Sequence, residues 1–123
     1  MTVRVLIVDD QAPFRSAARM VVELTDGFEV LAEAETGEEA VEKTLSLEPD
    51  LVLMDVNLPG IDGLEATRRI LVGASSIRVV VLSTYEASEY GPRASEAGAI
   101  AFVSKSAFTP EALEDAWGSA ALA

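Results

Sequence analysis

Short apolar runs alternate with amphipathic stretches from one end of the chain to the other. The runs VRVLIV, FEVLAEA, DLVLMD, IRVVVLS and AIAFVSK are strand-sized and rich in β-branched residues, which predicts five strands. Between and after them come Pro13 to about Thr25, then TGEEAVEKTLSLE, DGLEATRRIL, the stretch around PRASEAG, and TPEALEDAWGSAALA. These predict five helices. A strand followed by a helix, five times over, implies a parallel sheet covered by helices on both faces. No internal repeat, low-complexity segment or linker interrupts the pattern, so residues 1–123 are expected to form one domain.

Local chemistry supports the helix starts. Thr36 followed three residues later by Glu39 is a capping-box pattern, and Asp62 with Glu65 imitates it. Thr109 before Pro110 reads as an N-cap and a first helical position. In the last helix Leu113, Ala116, Trp117 and Ala120 share one stripe, which assigns Trp117 to the core.

Composition removes several kinds of chemistry. There is no cysteine, hence no disulfide, thiolate metal site or cysteine nucleophile, and no histidine, so imidazole chemistry has to come from a partner. Twenty-one acidic against nine basic residues give a formal charge of -12, which repels nucleic-acid phosphates and anionic lipid. The apolar runs are too short to span a membrane, and the opening MTVRVLIVDD is too short for a secretory signal. The expectation is a cytoplasmic domain that binds neither membrane nor, directly, nucleic acid.

Several strands end in polar groups: Asp9 and Asp10 after the first, Asp55 at the third, Ser83 at the fourth and Lys105 at the fifth. Ligands of open parallel sheets bind at these carboxyl ends. Any one of these aspartates could simply cap a backbone amide. Three gathered together repel one another by ~1 kcal/mol per pair at about 4 Å in water, and by ~4 at an effective dielectric near 20. A cation offsets that repulsion. Hard carboxylate oxygens suit Mg2+, whereas transition metals favour the imidazole and thiolate this chain lacks. Lys105 adds a compact positive charge and Ser83 a hydroxyl, while Lys43, four residues after Glu39, is read as a solvated ion-pair partner. Such a set suits covalent phosphorylation of a carboxylate, with Asp55 as the nucleophile.

The motifs LIVDD, LVLMDVNLPGIDGLEA, VVVLST and AIAFVSK, in that order over essentially the whole chain, resemble the receiver domain of two-component response regulators. Within that family the resemblance is to receivers attached to helix-turn-helix transcription factors of the LuxR/NarL type. It implies a doubly wound, flavodoxin-like α/β fold with five parallel strands in order 2-1-3-4-5 and five helices. It makes Asp55 the phosphoacceptor, Asp10 a direct magnesium ligand, Asp9 a ligand through water, and Asn57 a ligand through its backbone carbonyl. Ser83 becomes the switch hydroxyl, Lys105 the phosphate-contacting lysine and Phe102 the switch aromatic. The implied partners are a sensor histidine kinase, a DNA-binding output domain and a second copy after phosphorylation. Such a domain is not an ordinary enzyme, although it promotes its own phosphorylation and dephosphorylation.

Two positions depart from the family. Ser106 stands where a proline commonly follows the lysine, so a trans Lys105-Ser106 bond is expected. Gly91 and Pro92 interrupt the fourth helix, which is expected to begin near Pro92 and run to about Ala97, leaving YEASEYG as loop or a loose turn; the alternative is a kinked but continuous helix. The alternatives are a phosphatase with an aspartate nucleophile, whose motif separates its two aspartates by one residue, and a docking module that takes no phosphate. Residue 123 is expected to be a boundary inside a longer protein.

Overall fold

The computed structural model describes residues 2–84 and 87–122. Strands β1 (Val3–Val8), β2 (Phe28–Ala34), β3 (Leu51–Asp55), β4 (Arg78–Ser83) and β5 (Ala101–Ser104) form one parallel sheet in the order β2-β1-β3-β4-β5. Helices α1 (Ala12–Glu23), α2 (Gly37–Leu47), α3 (Gly63–Gly73), α4 (Ala87–Ala97) and α5 (Pro110–Leu122) connect and cover it. This is the expected doubly wound arrangement.

The two-residue period of the strands divides the core. Leu6, Val8, Val52, Met54, Val79 and Val81 face one way and pack with Ala40 of α2, Leu64 and Ile70 of α3, and Ala94 and Ala97 of α4. Val5, Ile7, Leu51, Leu53, Val80 and Leu82 face the other way, against Ala18 and Val22 of α1 and Leu113 and Ala116 of α5. β3 is buried along its whole length. Its near-continuous apolar run is what a strand covered on both faces requires.

The helix starts follow the sequence. Thr36 Oγ1 accepts from the Glu39 amide at 3.0 Å, and the Glu39 carboxylate accepts from the Glu35 amide at 2.7 Å. Asp62 caps α3 by accepting from Glu65 N, and Thr109 caps α5 by accepting from Ala112 N. Lys43 pairs with Glu39 as expected, at 3.1 Å, and also donates to the Glu33 carbonyl. Trp117 is partly buried, edge-on to Phe28 with the Arg78 guanidinium 4.1 Å from its ring centroid. The Ala120 side chain lies outside the described residues.

The fourth helix corrects the sequence reading. It begins at Ala87 and carries Pro92 in its interior, so 87–91 is helix and not loop; Tyr85 and Glu86 lie outside the described residues. Proline there forgoes one backbone hydrogen bond. Buried Ala94 and Ala97 anchor the helix to the sheet, Pro92 is exposed, and Gly91 has open space around it, so packing outweighs the local penalty. No cis peptide bond occurs among the described residues, and Lys105-Ser106 is trans.

Candidate functional site

The strand register assembles the site. Val8 pairs with Met54 across β1 and β3, so the residues that follow each of them, Asp9 and Asp55, emerge side by side at the carboxyl edge of the sheet. Ser83 ends β4 and pairs with Ser104 of β5, which delivers Lys105 into a short 3-10 turn, Lys105–Ala107. Asp9, Asp55 and Ser83 are buried, Asp10 is exposed, and one carboxylate oxygen from each of Asp9, Asp10 and Asp55 lies within 4.8 Å of the others.

Lys105 joins the carboxylates. Its Nζ donates to Asp9 Oδ2 at 2.5 Å and sits 3.2 Å from Asp55 Oδ1. Asp9 is further held by the Gln11 amide, which donates to Oδ1 at 2.8 Å, while Arg15 Nη1 donates to the Asp9 carbonyl. Asn57 is exposed in the loop beyond β3, and Phe102, half-buried, packs against the core that the sheet shares with α2, α3 and α4.

The loop after Asp55 depends on two glycines. Gly60 has φ +76, and a β-carbon on it would meet the Glu38 carboxylate at 2.5 Å. A β-carbon on Gly63 would stand 1.9 Å from the Asp55 carbonyl oxygen, so the first turn of α3 lies directly against the strand end that carries the carboxylate. Gly63 also donates its amide to the Val56 carbonyl.

The electrostatics are those of crowded like charges. Burial first, then the neighbouring Asp9 charge, push the Asp55 carboxyl up to about 6, against the opposing pull of Lys105. Lys105 is raised above its ordinary value: burial lowers it, but the hydrogen bond to Asp9 and the charge of Asp55 outweigh that. The ammonium is shared, and its shorter bond goes to Asp9. Asp55 therefore retains a net excess of negative surroundings. An all-oxygen donor set under mutual repulsion fits a hard divalent cation such as Mg2+.

Sequence reasoning had no means of finding Phe14, whose ring lies beside the Lys105 ammonium, because an aromatic on the apolar stripe of α1 has the signature of a core residue. Gln11 and Arg15 escaped for a related reason: Gln11 donates its own backbone amide to the Asp9 carboxylate, which any residue two places after an aspartate could do, and Arg15 donates to the Asp9 carbonyl, so neither side chain was marked by the sequence.

A family model described as response regulator receiver domain matches residues 5–117. The response regulator GacA of Pseudomonas viridiflava is 39% identical over 112 residues, covering 91% of this chain and 52% of that protein. The response regulator UvrY of Escherichia coli is 36% identical over 109 residues, covering 89% of this chain and 50% of that one. The chain thus spans about half the length of these relatives. Among solved structures, a LuxR-family two-component response regulator from Aurantimonas superposes with TM-score 0.88 at 35% identity, covering 97% of this chain and 84% of the other. The response regulator domain of Thermotoga maritima CheB gives 0.87 at 31%, covering 97% and 96%. Among the described residues no helix is long and apolar enough to cross a membrane.

Proposed function

Because the chain belongs to the response regulator receiver domain family of two-component systems, we propose that Asp55 is its phosphoacceptor and that residues 1–123 work as a phosphorylation-driven switch. The observation that carries this reading is the Lys105 ammonium lying between the buried carboxylates of Asp9 and Asp55, with Asp10 beside them.

In this mechanism an Asp55 carboxylate oxygen attacks the phosphorus of a phosphohistidine on a partner kinase. The new O–P bond forms as the P–N bond breaks, and the imidazole nitrogen leaves with the electron pair. Asp55 must be ionised to attack, and a carboxyl pushed up to about 6 is ionised at neutral pH. Lys105 donates N–H to the oxygens of the group being transferred, stabilising the charge they carry. Asp9, Asp10, Asp55 and the backbone carbonyl of Asn57 would hold a magnesium ion. Bound there, it supplies positive charge against the phosphoryl oxygens. Ser83, at the end of the neighbouring strand, would hydrogen-bond the phosphoryl group, and Phe102 would repack behind it. That movement alters the face formed by α4, β5 and α5, which a downstream domain or a second copy reads. The partners in this reading are a sensor histidine kinase and an output domain, most simply a DNA-binding one, given the transcriptional regulators among its relatives.

Incubation with acetyl phosphate and Mg2+, followed by intact mass measurement, tests the proposal. The chain should gain one phosphoryl group, should gain none in EDTA, and should gain none as Asp55→Asn. Equal labelling of Asp55→Asn would overturn the assignment, and a wild-type chain that takes no phosphoryl group would favour a docking module. Ser83→Ala should still be labelled but should lose the accompanying amide chemical-shift changes on α4 and β5.

A further inference from the structure

Lys105 must keep its ammonium beside Asp55 at the end of a flexible four-carbon stem, where two carboxylates compete for it. Both carboxylates approach closely, at 2.5 Å from Asp9 and 3.2 Å from Asp55. The Phe14 ring also faces the ammonium, with its centroid 4.4 Å from Nζ. That is inside the ~6 Å over which the negative face of an aromatic ring attracts a cation. Only 11% of the lysine side chain is exposed, so water screens this attraction weakly.

The ring's position is built in. Phe14 lies in the first turn of α1, its amide donating to the Gln11 carbonyl. The Gln11 amide in turn donates to Asp9 Oδ1, and Arg15 donates to the Asp9 carbonyl. The helix that carries the ring is therefore tied to the residue that shares the ammonium with Asp55. A ring face also attracts the ammonium as an uncharged partner, so it adds no further negative charge beside Asp55.

We infer that Phe14 is a positioning residue: its ring face holds the Lys105 ammonium toward Asp55 and thereby sets the rate of phosphoryl transfer without touching the phosphoryl group. The inference rests on the reading of Asp55 as phosphoacceptor. An aliphatic side chain of similar size would fill the same space and offer no such attraction.

The test compares Phe14→Leu, Phe14→Tyr and pentafluorophenylalanine at position 14, the last keeping a six-membered ring while reversing its quadrupole. Melting temperatures establish that each is folded. In the metal-free chain the Lys105 Cε protons should show an upfield ring-current shift that Phe14→Tyr keeps and that Phe14→Leu and the fluorinated ring lose. With acetyl phosphate and Mg2+, labelling of Phe14→Leu and of the fluorinated chain should slow by about tenfold, and Phe14→Tyr should stay near wild type. Unchanged labelling rates together with an unmoved Lys105 shift in the fluorinated chain would overturn the inference, even if Phe14→Leu failed to fold. If the wild-type chain takes no phosphoryl group, the reading of Asp55 fails, and the Lys105 shift still decides whether the ring holds the ammonium.

Discussion

Replacing Asp55 by Asn should stabilise the metal-free protein, by an amount that grows with pH as the carboxyl ionises. The carboxyl moves from 3.8 to about 6 on folding. At ~1.4 kcal/mol for each factor of ten in proton affinity, this corresponds to about 3 kcal/mol. Asp55 is almost wholly buried, 4% exposed, so solvent screening takes little from that figure. The native state holds this proton more tightly than the unfolded chain does. Below pH 3.8 both states are protonated and the wild type bears no penalty. As pH rises through the interval from 3.8 to about 6, the unfolded chain gives up its proton first and stability falls. Above that interval both states are ionised and the full penalty persists. Asn is nearly isosteric and uncharged, and Lys105 keeps its bond to Asp9. The variant should therefore exceed wild type by about 3 kcal/mol at pH 8 and by roughly half of that at pH 5. Urea unfolding in EDTA, followed by the fluorescence of the single tryptophan, measures both values. A variant less stable than wild type, or a difference independent of pH, would refute the argument that burial and like charge destabilise the ionised carboxylate.

Millimolar Mg2+, by offsetting the same repulsion, should raise the wild-type melting temperature through preferential binding to the native state, and Asp10→Asn should shrink that rise. A melting scan indifferent to Mg2+ would count against the site. Gly63→Ala should cost about 3 kcal/mol and impair labelling of Asp55, since its β-carbon would stand 1.9 Å from the Asp55 carbonyl oxygen; chemical denaturation and intact mass check the two halves of this. Pro92→Ala should restore a hydrogen bond inside α4 and stabilise the protein by ~1–3 kcal/mol, with slower amide exchange along the helix. Loss of stability in Pro92→Ala would show that proline contributes more by restricting the unfolded chain than it costs in the helix.

Much of the architecture was legible because the deciding interactions are short-range. Short apolar runs and helix caps at Thr36, Asp62 and Thr109 depend on neighbours within a few residues, and hydrophobic burial then allows few ways to stack five such units. The candidate site was legible for a related reason: in a parallel sheet every strand ends at the same edge, so Asp9, Asp10, Asp55, Ser83 and Lys105 could be gathered there before any distance was known. The start of α4 was misread because local propensity counted the cost of Pro92 but not the burial of Ala94 and Ala97 against the sheet, which outweighs it. Contacts between distant segments were beyond reach. The closer bond from Lys105 to Asp9 than to Asp55, the Phe14 ring beside that ammonium, and the contact of Gly63 with the Asp55 carbonyl each depend on ångström-scale placement of side chain or backbone. Sequence spacing carries no record of such placement; it arises only when the close-packed interior leaves each group one place to be.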